Sequence, residues 1–300
     1  MWSGASQALL AAAGEQAKAQ NVAFAVQLGD IAQGYCSDEA MQEKMLSDAV
    51  VKVKRYFPAM PLLLVGGNNN ICYFPPHNDR KAADRVLPAH NASEFEIPQT
   101  GNGNAVIRHG KDLFIALDGF IPAKRLTAFV DKVLKDHPDA RYVFVLTHLP
   151  LIPASPRFPF WLTPGYLEIA DMLETRRAAV LAAHTHIPSL AVRTTPRGKV
   201  TQLVTSSMGA YWSPDKPLPP HFTNWARFVK AAKKVRQVGR NAQNPEKWGP
   251  LEAKGKYAMS EFFDNSGFAV LDIDDERVEA RIYTDASGKP AKTVRLIENK

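Results

Sequence analysis

Five short apolar runs constrain this chain more than any other feature. They are Val22 to Leu28, Pro61 to Val65, Leu113 to Leu117, Tyr142 to Thr147 and Ala178 to Ala182. Each is short and nearly unbroken, the pattern of a strand covered on both faces. Between the first two, Met41, Met45, Ala49, Val53 and Phe57 recur near helical spacing. Ser37 stands where an N-cap is expected, with Asp38 and Glu39 in the first turn. Strand, helix, strand at this spacing predicts a βαβ unit with a parallel pair. Further helices are expected over Ala5 to Gln20, Ala123 to Lys135 and Tyr166 to Arg176. Glu94 to Pro98 and Ala105 to His109 read as short strands joined through Gly101-Asn102-Gly103-Asn104, because Asn-Gly pairs favour hairpin turns. Leu190 to Arg193 and Val200 to Thr205 flank a turn at Pro196, and Phe268 to Ile273 with Val278 to Tyr283 close the chain as a hairpin. With no internal repeat and no linker, residues 1–300 read as one α/β domain of layered sheets, with an insertion at about 209–258.

Composition bounds the function. The 45% apolar and 22% charged fractions are those of a globular domain. No apolar run approaches the ~20 residues that span a bilayer, so no transmembrane segment is expected. Met1 to Gly4 lack the charged and apolar regions of a signal peptide. Cys36 and Cys72 are the only cysteines and imply no disulfide framework. A reducing, cytoplasmic setting is expected, with periplasmic or secreted locations left open. The net charge of +7 is concentrated: Trp225 to Lys256 holds nine Lys and Arg against Glu246 and Glu252, and the remainder is balanced. That stretch is either a solvated helix face or an attraction site for nucleic acid or anionic lipid.

The residues that end the apolar runs point to chemistry. The first run ends at Gly29-Asp30, the second at Gly67-Asn68, the fourth at Thr147-His148, and the fifth at Ala183-His184-Thr185-His186. In a parallel sheet these carboxyl ends share one edge. A carboxylate, an amide oxygen and three imidazoles brought to one edge form a donor set for divalent transition metals.

These motifs, in this order, resemble those of the calcineurin-like metallophosphoesterase family. Gly29-Asp30 is similar to its Gly-Asp motif, and Gly67-Asn68-Asn69-Asn70 stands where the family has Gly-Asn-His-Asp/Glu. His148 matches the lone metal histidine, and Ala183-His184-Thr185-His186 matches Gly-His-x-His. The resemblance implies a two-sheet mixed β-sandwich flanked by helices. It also implies one or two divalent metals (Mn, Fe, Zn or Ni). Asp30 would bridge them, Asn68, His148 and His184 would complete one site, and His186 would join the other. The implied reaction is hydrolysis of a phosphoester by a metal-activated hydroxide attacking phosphorus in line, with Asp30, Asn68 and Asn69 at catalytic positions.

Two departures from the family pattern shape the expectation. The family opens with Asp-x-His at the end of a first strand, and here the first predicted helix begins by Ala5 with four residues before it. That first strand is missing from the sequence, so Met1 is expected to be an internal start with the strand encoded upstream. A stop codon immediately before Met1 would overturn this. The second departure is Asn69, in place of a histidine that protonates the leaving group, with Asn70 in place of the acidic residue that orients it. The resemblance therefore points to phosphodiesters with good leaving groups rather than monoesters. The expected partner is a phosphorylated small molecule or phosphodiester.

Three readings stay open on the sequence: a metal-dependent phosphodiesterase, a truncated or degenerate non-catalytic member, and a binder of nucleic acid or anionic membrane through Trp225 to Lys256. Chelator-sensitive hydrolysis of an aryl phosphodiester selects the first. A folded protein without turnover selects the second, and chelator-insensitive, salt-dependent retention on heparin the third. Arg157, Phe160 and Trp161 follow His148 and suit either the organic part of a substrate or packing of their own loop. Asp118 reads as a support for the site or a turn residue. His77 reads as a surface residue, and the two cysteines as buried filler.

Overall fold

The computed structural model describes residues 4–32, 38–70, 80–95, 97, 102–153, 162–186, 188–205, 208, 221–222, 255–261 and 267–298. The Ala-rich start forms α1 (Gly4–Ala19). It turns through Asn21, at φ 50°, into β1 (Ala25–Gln27), which is shorter than its apolar run. α2 (Glu39–Lys54) and β2 (Leu62–Leu64) follow. β1 and β2 pair in parallel, Ala25 against Leu62, as the βαβ spacing requires. The N-cap of α2 is Asp38 rather than Ser37: the Asp38 side chain accepts from the Met41 N–H at 2.7 Å. A carboxylate at the cap also meets the positive end of the helix dipole.

The stretch expected as strand at Glu94 instead ends a helix, α3 (Lys81–Phe95). Its polar residues close the outer edge of β2. Asn91 accepts from the Leu64 N–H and donates to the Leu64 carbonyl, both at 2.8 Å. His90 Nε2 meets the Leu62 carbonyl at 2.9 Å, and Glu94 accepts from the Leu62 N–H at 3.1 Å. A helix thus supplies the partners a neighbouring strand would give.

The expected partner of Ala105 to His109 changes accordingly. β3 (Ala105–His109) forms its hairpin with β4 (Asp112–Leu117), through Gly110 at φ 58°. After α4 (Ala123–Asp136), β5 (Val143–Thr147), α5 (Tyr166–Leu173) and β6 (Ala178–Ala182) alternate. β7 (Ser189–Thr195) and β8 (Gly198–Val204) then form a hairpin. β9 (His221–Phe222) and β10 (Lys256–Glu261) pair at the far edge. The sheet order is β3-β4-β5-β6-β8-β7-β10-β9, with β4, β5, β6 and β8 parallel. The basic stretch from Trp225 lies outside the described residues as far as residue 254.

β11 (Phe268–Ile273) and β12 (Arg277–Tyr283) form the expected hairpin, and β13 (Lys292–Glu298) adds to it. The architecture is four layers. Leu126, Val130 and Ile169 of α4 and α5 cover one face of the large sheet. The other face packs Phe114, Phe144 and Leu181 against Leu63 of β2 and against Val278, Ala280 and Leu296 of β12 and β13. α1, α2 and α3 cover that second layer with Leu10, Leu46 and Leu87. This is the mixed sandwich flanked by helices. Its second layer is in two pieces, β1–β2 and β11–β12–β13, where the family resemblance implied a single sheet.

Candidate metal centre

Four strand ends meet at one place. β1 and β2 deliver Asp30 and Asn68 from the small sheet, and β5 and β6 deliver His148 and His184 from the large one. Asp30, His148 and His184 place ligand atoms within 4.8 Å of one another. The Asn68 amide oxygen lies 3.0 Å from His148 Nε2 and 3.0 Å from His184 Nδ1, and those two nitrogens are 3.1 Å apart. Asp30 Oδ2 lies 3.4 Å from His148 Nε2. His186 stands outside this cluster but lines the same cavity. His77, Arg157, Phe160, Trp161 and both cysteines lie outside the described residues.

Backbone geometry makes this approach possible. Asp30, His184 and His186 have φ of 58°, 68° and 56°, a left-handed conformation uncommon for residues with a side chain. Gly29 is at φ 99°, and a Cβ there would lie 2.4 Å from His148 Nδ1. A Cβ on Gly67 would lie 2.3 Å from both the backbone nitrogen and Oδ1 of Asp30. Only glycine permits either contact.

The supporting bonds define Asp30 closely. Asn69 donates twice to its carboxylate, from the backbone N–H to Oδ1 at 2.8 Å and from the side-chain amide to Oδ2 at 2.9 Å. Asn70 is fully buried, and its Oδ1 accepts from the N–H groups of Asp30 at 2.8 Å and Gly67 at 2.9 Å. Buried Gln42 holds the Asn70 carbonyl at 2.6 Å, and Gln27 brackets Gly29 from both sides. Gln27 and Gln42 carry no motif and no periodic signal, so sequence reasoning alone passes over them, and Asn70, read from its motif as a replaced acidic residue, instead holds the backbone of Asp30 and Gly67. Asp118 is buried near the site and accepts from the N–H groups of Gly103 and Phe120 as well as from Arg80. Phe120 in turn stacks obliquely 6.3 Å from the His148 ring.

Protonation follows from the same contacts. Burial alone would raise the Asp30 carboxyl, but the His148 charge and hydrogen bond, the Asn69 N–H and His184 hold it at about 2. Burial, with help from His148, pushes His184 down to about 3, so its imidazole is neutral at ordinary pH. Burial also lowers His186. His148 is raised: burial opposes its charge, but Asp30 beside it and the Leu28 carbonyl favour it more.

The donor set fits a cation. His148 Nδ1 meets the Leu28 carbonyl at 2.8 Å, so Nδ1 donates and Nε2 keeps its lone pair when the ring is neutral. That lone pair faces the Asn68 oxygen, His184 Nδ1 and the Asp30 carboxylate. With the His148 ring neutral and the His184 proton on Nε2, four acceptor atoms face one point, an arrangement that a cation between them stabilises. Mixed nitrogen and oxygen donors of this kind suit first-row divalent metals.

A family model for calcineurin-like phosphoesterases matches residues 2–188. The chain belongs to that family of metal-dependent phosphoesterases. The fold is shared with solved structures of low sequence identity. A dimetal phosphatase from Danio rerio superposes with a TM-score of 0.57 at 13% identity, covering 97% of this chain and 88% of that one. GAP50, described as the anchor in the inner membrane complex of Plasmodium, gives 0.53 at 14%, covering 99% and 85%. PhoD gives 0.55 at 10%, covering 97% and 69%. No curated protein sequence matches the chain. Among the described residues no helix is long and apolar enough to cross a membrane.

Proposed function

We propose that this member is an active phosphoesterase that prefers phosphodiesters, and that Asp30, Asn68, His148 and His184 hold its metal. The observation that supports the reading is the convergence of Asp30 Oδ2, Asn68 Oδ1, His148 Nε2 and His184 Nδ1 on one point. A divalent metal bound there supplies Lewis acidity toward phosphoryl oxygens and activates water for in-line attack. The protein's own part is orientation. Asn70 and Gly67 fix the Asp30 backbone, the Leu28 carbonyl fixes the His148 ring, and Asn69 holds the Asp30 carboxylate in one rotamer. Asn69 offers an amide N–H and no acidic proton. The leaving group therefore departs without protonation from this position, which favours weakly basic leaving groups such as the phenolates of aryl diesters.

The test compares hydrolysis of bis(p-nitrophenyl) phosphate and p-nitrophenyl phosphate by chain purified without chelator, with metal content read by elemental analysis. Chelator-sensitive hydrolysis favouring the diester supports the proposal, and monoester preference overturns it. A second reading, a member that holds metal without turnover, is favoured by one observation: His186 lies outside the donor cluster. One equivalent of metal with neither ester hydrolysed selects it.

A further inference from the structure

A single ion pair holds both backbone groups of an aromatic residue beside the metal centre. The Phe120 N–H donates to Asp118 Oδ1 at 3.1 Å, and the Phe120 carbonyl accepts from Arg80 Nη1 at 3.1 Å. Arg80 Nη2 pairs with Asp118, so the two grips belong to one unit. The same guanidinium reaches Asp84 through Nε at 2.8 Å and Nη2 at 2.7 Å. The Ile121 N–H closes the turn on the Asp118 carbonyl at 3.4 Å.

Charge balance explains only part of this. Asp118 is buried at the carboxyl end of β4, and a buried carboxylate needs a cation beside it. A lysine would meet that need as a point charge. Arg80 does more: it serves Asp84, Asp118 and the Phe120 carbonyl at once, which takes a planar fork of donors. The arm on the Phe120 carbonyl is the part that pairing of charges leaves over.

What that arm controls lies against His148. The half-buried Phe120 ring is 6.3 Å from the His148 ring, tilted by 36°. It also packs on the core of the second layer that includes Ile31 and Ala82. A Cβ on Gly119 would lie 3.5 Å from the Leu149 side chain, so the same turn runs along the residue that follows His148. The polar anchor of the His148 ring is Nδ1 on the Leu28 carbonyl, at 2.8 Å. One hydrogen bond fixes one edge of a ring and lets it rock about that edge. Rocking displaces Nε2, the atom that faces Asn68, His184 and Asp30. The His184 ring also flanks His148, at 5.0 Å and 72°, but it belongs to the donor set itself. Phe120 is an apolar neighbour fixed from outside that set.

We infer that Arg80 is a positioning residue for the metal centre: with Asp118 it clamps the Phe120 backbone, and Phe120 keeps the His148 ring in the plane that aims Nε2 at the point where the donors converge. The inference rests on the reading of His148 as a metal ligand. Its test therefore reads metal affinity, with the parent chain as the control on that reading.

The test is a double-mutant cycle. Chelator-stripped chains are titrated with Co²⁺ by calorimetry, the visible spectrum of each Co²⁺-loaded chain is recorded, and each metal-free chain is melted. Arg80→Lys keeps a positive charge beside Asp118 and Asp84 and gives up the arm on Phe120. It is expected to bind Co²⁺ about tenfold more weakly, the scale of lost support to a ligand, and to shift the absorption bands, with little change in the metal-free melt. Phe120→Leu is expected to do the same, and Phe120→Met takes its place in the cycle if the leucine variant does not fold. In the Phe120 variant, Arg80→Lys is expected to cost less than about twofold more, because both act through one contact. Losses that multiply in the double variant overturn the inference and leave Arg80 as a structural ion pair. Parent-like affinity and spectrum in Arg80→Lys overturn it too, with the metal reading intact. A parent chain that binds no Co²⁺ overturns the metal reading and this inference together.

Discussion

Replacing Asn70 by alanine tests the whole construction of the centre at one atom. Asn70 Oδ1 is the acceptor for the N–H groups of Asp30 and Gly67, at 2.8 and 2.9 Å, in a side chain with no exposure. Removing it leaves two buried donors without that partner. Each such loss costs roughly 1–3 kcal/mol, so the fold is expected to lose about 2–6 kcal/mol, the lower end if water enters the space. At a few degrees per kcal/mol the melting temperature falls by about 5–15 °C. The freed Asp30 backbone, held at φ 58°, relaxes and carries its carboxylate away from His148. Metal affinity is then expected to drop by roughly 10–100-fold, the scale of lost support to a ligand. Calorimetric titration with Mn²⁺ or Zn²⁺ and a melt of the same sample measure both. Asn70→Asp keeps an acceptor oxygen and is expected to recover most of the affinity. Asn70→Ala with unchanged melting and unchanged affinity would refute the reasoning.

Three further outcomes follow from the same geometry. His184→Ala is expected to abolish metal retention, whereas His186→Ala, outside the cluster, leaves one equivalent bound; elemental analysis reads both, and equal loss would contradict the donor set. Gly67→Ala places a methyl group 2.3 Å from Asp30 Oδ1, so weaker metal binding and a loss of about 1–3 kcal/mol are expected, checked by denaturant titration. Asn69→His supplies an acidic N–H beside Asp30, and hydrolysis of an alkyl diester relative to an aryl diester is expected to rise about tenfold or more; an unchanged ratio would remove Asn69 from the explanation of leaving-group preference.

The apolar runs were readable because strands buried on both faces leave no polar alternation to misread. Val143 to Thr147 and Ala178 to Ala182 lie where expected, fully buried. α3 was not readable, since Pro88 interrupts it and its inward face carries His90, Asn91 and Glu94. Those side chains bond to the backbone of β2, and the sequence holds no sign of a partner about thirty residues away. β13 was missed for another reason: Lys292, Arg295 and Glu298 keep one face in water and break the apolar run. In the site, the strand-end rule placed Asp30, Asn68, His148 and His184 together. The family resemblance gave His184 to one metal and His186 to the other, and His186 lies outside the cluster of Asp30, His148 and His184. Both histidines have left-handed backbone, which no spacing rule anticipates.

The four donors come from two different layers, Asp30 and Asn68 from the small sheet and His148 and His184 from the large one. A bound ion is then also a clasp across the middle of the sandwich. Each ligand it gathers from one layer is tied to one from the other, so loading the site tightens the seam between them and shifts the folding equilibrium by mass action. Chelation would therefore do more than silence a reaction. It would loosen β1, β2 and the helices α1 to α3 as one body, and the first proteolytic cuts in metal-free protein should fall on that side of the seam.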